Sequence, residues 1–497
     1  MIPSPTTRRR FLATSAQALL GVGIASQGLS WITGCSSTTA TDPSQIWKDL
    51  DALLTGDLLL PGSMAYFDFA KPWALQYAVV PPAGIARCVS EADVQTCITW
   101  AKKNGVALVA RSGGHSYAAY SQTSGLLVDV SLMNSVAYDA TTGLGTLGGG
   151  ARNRDVYAAM RPLGKAVTHG RCKNVGVAGL VLGGGIGFNM RAHGLTCDKL
   201  VSTRIVTADG VARNCSATEN TDLFWAIRGA GGGNFGIHTQ FVFAPFTAPD
   251  LVVFNISWDV KLEEVFAALQ QVVISAPVTL GSKVSVVVTP QSGLNRIVVN
   301  LLGQLAGTTS ELSAVLQPVY SVATPSASTI REMSYWDGQE FLSEEGSPEY
   351  SHERSRFAPT PLAAEGIAAI FRNIRAWPGT SVAGTWKFFT MGGVINDVSP
   401  TDTAFVHRSV AFVSSIELEW LSADQGTLLE RNFAWLDAFH QEMEAYTSMH
   451  CYQNFIDRKQ VNYLDAYYGE NLDRLKRVKQ LVDPTNIFTY PQAIPVT

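Results

Sequence analysis

The chain has 497 residues, too long for one hydrophobic core of ordinary size, and at least two domains are expected. With 46% hydrophobic and only 16% charged residues, the composition excludes long disordered tracts. The 37 basic and 41 acidic side chains give a formal net charge of −4, with neither a polybasic run nor an acidic tail, so there is no basic excess to attract nucleic acid.

The N-terminus carries Thr7-Arg8-Arg9-Arg10-Phe11-Leu12, then a mildly apolar run without acidic residues that ends at Ile32-Thr33-Gly34-Cys35. This resembles a twin-arginine export signal over residues 1–35 with a lipoprotein cleavage box, in which Cys35 would become a lipid-anchored N-terminus. A simple signal cut elsewhere, or an anchor helix, is the alternative. Export to the periplasm or beyond is expected, by a route that carries proteins already folded. With Cys35 the chain has seven cysteines (the others are Cys88, Cys97, Cys172, Cys197, Cys215 and Cys451); none shows CxxC spacing, and an odd, sparse set argues against a disulfide scaffold.

Residues 36–247 read as a first α+β domain. Ser90 is placed to cap a helix whose apolar face is Val94, Cys97, Ile98 and Ala101, stopped by Gly105. Val106 to Val109 predicts a buried strand that delivers the chain into Arg111-Ser112-Gly113-Gly114-His115-Ser116-Tyr117, and Leu126 to Val130 a strand that leaves it. A short helix over Asp155 to Met160 precedes Gly170-Arg171-Cys172-Lys173-Asn174-Val175-Gly176, followed by the run Gly183-Gly184-Gly185-Ile186-Gly187. Several glycine-rich turns in one domain suggest backbone pressed against a large phosphate-bearing cofactor. Asn220 is expected to cap a helix through Arg228, and Gly231 to Gly236 formally satisfies GxGxxG. That motif follows a helix instead of a strand, which argues against a nicotinamide site.

From residue 248 to 450 glycine thins out. Helices (Leu262 to Ala276, Glu311 to Tyr320, Leu362 to Trp377, Gly426 to Tyr446) alternate with strands (Lys283 to Thr289, Arg296 to Leu302, Gly384 to Thr390, Val410 to Trp420). The Lys283 and Arg296 strands read as a hairpin, so an antiparallel sheet with helices on one face is expected. The tail, 451–497, holds Tyr467-Tyr468-Gly469-Glu470-Asn471-Leu472 and a helix ended by Asp483-Pro484.

RSGGHSY, GRCKNVGVAGLVLGGGIGFNMRAHGLTCDKL, LFWAIRGAGGGNFG and YYGENLDRL with VDPTNIF, in this order, resemble the berberine bridge enzyme-like branch of the vanillyl-alcohol-oxidase flavoproteins. The resemblance implies a two-domain FAD-linked oxidase fold: an FAD-binding domain, an antiparallel-sheet substrate domain covered by helices, and a C-terminal segment returning to the FAD domain. It implies FAD attached covalently at both His115 and Cys172. Arg111, Ser112, Gly113, Gly114, Ser116, Val175, Gly176, Gly179, Gly183, Gly184, Gly187 and Asn471 would complete the cofactor site, with His169 and Asn174 as hydrogen-bonding neighbours. Tyr117 would face the substrate. Val175 stands where oxygen-using members carry valine and dehydrogenases isoleucine, which favours dioxygen as the electron acceptor.

One departure concerns the catalytic base. Family members place a tyrosine in a Tyr-x-Asn-Tyr-x-Asp segment, whereas this chain has Tyr452-Gln453-Asn454-Phe455-Ile456-Asp457. Period-two alternation puts Glu417 and Glu419 on one face of a strand, opposite Ile416, Leu418 and Trp420, and either could replace the missing base. The competing reading is two solvated strand-edge charges. Tyr452 is a further candidate, ahead of Tyr463 and His450. No metal-ligand spacing is present. The expected activity is an FAD-dependent oxidase acting on a sugar, alcohol or phenol. The alternatives are a dehydrogenase using another acceptor, or a catalytically silent flavin-binding lipoprotein.

Overall fold

A computed structural model describes residues 43–497, of which Ser44–Thr497 form one compact unit. The export signal and Cys35 lie outside the described residues. Among the described residues no helix is long and apolar enough to cross a membrane.

The helix expected after Ser90 spans Glu91–Asn104. The Ser90 side chain accepts from the Asp93 N–H, and Gly105, at φ 63°, ends the helix in the left-handed conformation that glycine tolerates best. Its apolar face packs on a sheet of β1 (Asp57–Leu59), β2 (Gly84–Arg87), β3 (Leu108–Arg111) and β4 (Leu126–Asp129), in the order β1-β2-β4-β3. β4 lies between parallel neighbours, and Leu126, Leu127 and Val128 are buried in succession, as a strand covered on both faces requires. A second, antiparallel sheet combines β5 (Val136–Asp139), β6 (Leu144–Gly148), β8 (Leu200–Val206), β9 (Ala212–Ser216) and β10 (Ile237–Phe243) in the order β5-β6-β10-β8-β9. A short pair, β7 (Lys165–Ala166) with β11 (Phe246–Thr247), stands beside it.

The later chain builds a seven-stranded antiparallel sheet, β15-β12-β14-β13-β17-β18-β16. Its members are β12 (Leu251–Trp258), β13 (Leu280–Gln291), β14 (Leu294–Leu305), β15 (Ala327–Met333), β16 (Tyr350–Ala358), β17 (Ala383–Thr390) and β18 (Phe412–Trp420). Val284, Val286, Val288, Trp386, Phe388, Ile416, Leu418 and Trp420 form its apolar face. They pack against the helices Leu262–Ser275, Thr309–Val322, Ala364–Arg375 and Thr427–Glu442, the third through Ile367, Ile370, Phe371 and Ile374 at helical spacing. The alternate positions, Lys283, Ser285, Lys387, Ser415, Glu417 and Glu419, share the opposite face.

The hairpin β13–β14 and the four long helices match the sequence expectation. β12, β15, β16 and the helix Tyr335–Leu342 were not expected. β16, Tyr-Ser-His-Glu-Arg-Ser-Arg-Phe-Ala, is polar on both faces and lacks the apolar alternation by which strands are recognised. Asn220 stands at the N-cap position of the helix Thr221–Ala226, but its side chain does not cap it. It sits at φ 49° and its side-chain amide donates to the Asn214 carbonyl.

The tail folds back onto the glycine turn before β10. Lys479, fully buried in the helix Leu472–Val482, donates to the Asp483 carboxylate and to the Asn234 and Phe488 carbonyls at 2.6–2.7 Å. Asp457 pins the same segment to β16, accepting from His352 Nε2 at 3.1 Å and Arg354 Nε at 2.7 Å. Burial alone would raise the Asp457 pKa, but the His352 hydrogen bond and the Arg354 charge outweigh it and hold the carboxyl down to about 2. We predict that Asp457→Asn destabilises the fold by about 2 kcal/mol, because Arg354, which keeps Asp437 at 3.0 Å, and His352 both lose a buried charged acceptor. The stability tied to this group is fully present above the ordinary carboxylate pKa of about 4 and lost as pH falls toward 2. Urea unfolding of both proteins between pH 7 and pH 3 measures both effects; equal midpoints at pH 7 would reject the pin.

Candidate active site and cofactor cavity

A cavity of about 260 Å³ opens where β3 runs out into the Ser112–Tyr117 turn. The turn at Val175–Gly176 and Gly179, the turn Gly231–Gly233, and the tail segments 452–456 and 488–490 complete its wall. Gly113 and Gly176 pack backbone against backbone, so a side chain on either would strike the other. Gly179 does the opposite job: a Cβ there meets nothing within 4 Å, which leaves cavity in front of bare backbone.

His115 lines this cavity, stacked on Trp73 with ring centroids 4.1 Å apart. Burial lowers its pKa to about 4, so the imidazole is neutral, and its Nε2 is buried without a hydrogen-bond partner. The Ser112 hydroxyl is also buried and unpartnered. Orphaned polar atoms on a glycine-lined cavity fit a large polar cofactor that brings its own donors and acceptors. Cys172 stands behind the backbone of Gly346: a Cβ on that glycine would lie 2.9 Å from His115 Nε2 and 3.0 Å from Cys172 Cβ. The two expected attachment points therefore flank one spot.

Of the other expected cofactor contacts, Ser112, Gly113, Gly114, Ser116, Val175, Gly176 and Gly179 line the cavity. Arg111 lines it too, and its guanidinium is tied into the neighbouring loops by the Phe69 and Ser121 carbonyls and the Gln122 side chain. Gly183, Gly184 and Gly187 do not line the cavity. They are small because Asn454, Phe405 and the His169 carbonyl press on them. Asn471 is buried outside the cavity and donates to the Pro400 and Thr403 carbonyls at 2.7 and 3.2 Å. His169 is likewise structural, bonded to the Gly170 carbonyl and the Tyr335 hydroxyl at 2.9 Å each. The turn Gly231–Gly233, set aside as a nicotinamide motif, lines the cavity all the same. Its glycine content was the signal, since close backbone approach does not require a preceding strand.

Glu417 and Glu419 are not edge charges, because β18 lies between β16 and β17. Glu417 sits directly opposite Glu353 of β16, an arrangement that repels unless a cation intervenes. Lys387 of β17 intervenes, with Nζ 2.8 Å from Glu417 and 3.2 Å from Glu353. Burial would lower the lysine pKa, but Glu353 and Glu417 overcome it and keep Lys387 charged. Burial, then the Glu417 charge, raises the Glu419 carboxyl to about 8, so Glu419 carries a proton near neutrality. Glu349 is raised to about 7 by the same two causes. Although sequence spacing offered no ligand set, Glu349, Glu417 and Glu419 bring carboxylate oxygens within 4.8 Å of one another, a grouping that could hold a cation. Glu353 and Lys387 escaped the sequence reading. The detectable signal was Lys387, a lone lysine in the aromatic run Trp386 to Phe389.

Comparison with known proteins agrees with this geometry. Residues 82–216 match the FAD binding domain model, and 451–495 match the model for berberine and berberine-like proteins. An FAD-linked oxidoreductase of Bacillus subtilis, YgaK, is 32% identical over 83% of this chain and 91% of its own. The chain belongs to the berberine bridge enzyme-like family. It is an FAD-dependent oxidoreductase with the α+β fold expected for that family. The BBE-like 1 protein of Physcomitrella patens superposes with a TM-score of 0.83 at 26% identity, over 91% of this chain and 99% of that one. Xylooligosaccharide oxidase of Thermothelomyces thermophilus is 29% identical over 83% of this chain and 87% of its own.

In this berberine bridge enzyme-like chain, Phe455 stacks on Tyr117, centroids 5.4 Å apart and rings 10° from parallel, and both line the cavity. Burial and then the Glu353 charge push the Tyr117 phenol well up, so Tyr117 can donate a hydrogen bond but not accept a proton as a base. Tyr452, a further base candidate, also lines the cavity, with its phenol tied to neighbouring groups. Its oxygen accepts from the Gly185 N–H and the Asn454 amide at 3.0 Å each, and burial raises its pKa. We predict that Gly179→Leu fills the cavity and lowers bound flavin per protein at least tenfold, with the far-ultraviolet circular dichroism unchanged; full flavin content in this variant would remove Gly179 from the cofactor wall.

Proposed function

We propose that this chain is an oxidase that takes hydride from a carbohydrate or small-alcohol C–H bond. The supporting observation is Glu417, set beside Lys387 on the polar sheet face within electrostatic range of the Tyr117 phenol. When bound, FAD accepts the hydride and hands the electron pair to dioxygen, giving hydrogen peroxide. Glu417 takes the hydroxyl proton, since hydride loss without deprotonation would leave a high-energy cation. Lys387 holds the carboxylate in place, and the Tyr117–Phe455 pair gives the substrate a flat apolar wall. His115 and Cys172 hold the cofactor covalently; a neutral imidazole and a thiol beside the same point support that reading. The xylooligosaccharide oxidase relative supports a sugar as the substrate, and Val175 in the cavity wall supports dioxygen as the acceptor.

Glu417→Gln is expected to lower kcat by about 10²–10⁴ while flavin content stays unchanged. A stopped-flow screen of sugars, alcohols and phenols that follows flavin absorbance measures the loss. Unchanged reduction in this variant would displace Glu417, and reoxidation of the reduced enzyme in air no faster than free flavin would sink the oxidase reading. We also propose export with lipidation at Cys35, from the arginine motif and the Thr33-Gly34-Cys35 end of the apolar run. Cys35→Ala should then release the protein from the membrane fraction; membrane partitioning that survives the change rejects the lipid anchor.

A further inference from the structure

Cys172 poses a chemical problem for the two-point attachment proposed above, on which this inference rests. Burial, then the Glu344 charge, pushes its thiol up to about 12, so the neutral thiol dominates at pH 7 and its proton must pass to an acceptor as the sulfur reacts. His115, already neutral, has no such handicap. A hydrogen-bond acceptor for the thiol comes from the strap Ser343–Gly346. Glu344 Oε2 lies 3.8 Å from Cys172 Sγ, within sulfur hydrogen-bond range.

That contact is built from the backbone up. Cys172 and Glu344 form a parallel bridge, in which the Lys173 N–H donates to the Glu344 carbonyl at 2.8 Å, the Asn174 N–H to the Glu345 carbonyl at 3.1 Å, and the Glu344 N–H to the Arg171 carbonyl at 3.3 Å. Arg171 pairs with Glu344 Oε1, which leaves Oε2 toward the sulfur. Lys173 pairs with Glu340 and Glu345 and fastens the two sides together. Gly346, at φ 67°, lets the strap pass between His115 and Cys172.

We propose that Glu344 is the general base that activates Cys172 for covalent attachment to the flavin. The Cys172 S–H proton passes to Glu344 Oε2 as Sγ bonds to a ring carbon of the cofactor. The hydrogen on that carbon leaves as a proton, and the two electrons released go to dioxygen, giving hydrogen peroxide. Burial would raise the Glu344 carboxyl, but Arg171, then Lys283 of β13, outweigh it and keep it ionised. Its side chain is 53% exposed, so the proton gained is returned to water. Other charged or titratable groups bearing on this pair are Lys387 of β17, the raised carboxyls of Glu349 and Glu419, the neutral His115 imidazole, and the Tyr117 and Tyr157 phenols, both protonated at neutral pH.

The test uses full-length protein produced in flavin-starved cells, mixed with FAD, quenched over time and digested. Mass spectrometry then quantifies the His115-linked and Cys172-linked peptides separately. In Glu344→Gln the Cys172 bond should form about 10²–10⁴ times more slowly at pH 7, while the His115 bond forms at the normal rate. The slow rate should climb about tenfold per pH unit as solvent hydroxide replaces the lost base, and Glu344→Asp should restore part of the rate at pH 7. Glu345→Gln, which loosens the same strap without touching the thiol, should leave both rates unchanged. Equal Cys172 rates in wild type and Glu344→Gln overturn the proposal, as does an equal slowing in Glu345→Gln. Wild type that never yields a Cys172-linked peptide overturns the two-point attachment itself, a separate failure.

Discussion

The contact on which the site depends is the one between Gly113 and Gly176, two turns more than sixty residues apart in sequence. Because neither has a side chain, their backbones meet, and the His115 turn and Val175–Gly176 of the Cys172 turn both reach the cavity wall, whereas Cys172 itself does not line it. Around that contact the remaining wall is assembled from pieces that also lack bulk, Gly179 and the Gly231–Gly233 turn. The cavity wall and the approach of the two turns thus have a common cause: close approach is possible only where Cβ atoms are missing. The C-terminal tail supplies the other side, and the buried Lys479–Asp483 pair keeps it there through the Asn234 carbonyl.

The seven-stranded sheet carries a different burden. Its helix-covered face is an ordinary apolar core, whereas its other face brings Glu353 and Glu417 into direct opposition and adds Glu419 and Glu349 nearby. Three of these carboxyls are raised by burial and mutual repulsion, and Lys387 is the central counter-charge. Such a cluster disfavours folding compared with an apolar face. Its charges reach the Tyr117 phenol on the cavity wall, although Glu349, Glu353, Glu417, Glu419 and Lys387 do not themselves line the cavity.

Much of this was legible in the sequence where backbone demands are strict. The Gly113-Gly114-His115 turn, the Cys172 turn and the Ser90 cap could be read because glycine and capping side chains do local jobs that leave local traces. The period-two placement of Glu417 and Glu419 was visible for the same reason. The partners that give those residues their chemistry were not. Glu353 lies on a strand polar on both faces, Lys387 acts across a strand pairing, and Glu344 reaches Cys172 over a separation of 172 residues. The glycine run Gly183–Gly187 misled because a glycine pressed by Phe405 or by the His169 carbonyl looks the same in sequence as one pressed by a cofactor.

The asymmetry between the two attachment residues follows from one physical cause acting on opposite kinds of group. Burial disfavours charge, so it strips the proton from an imidazole and retains the proton on a thiol. His115 is thereby ready to act as a nucleophile with no help, and the same environment disables Cys172. A site that uses both must bring an ionised acceptor to the sulfur alone. In the proposed attachment the Arg171–Glu344 pair would do this, on a strap between the helix Tyr335–Leu342 and β16 that bridges to the Cys172 turn.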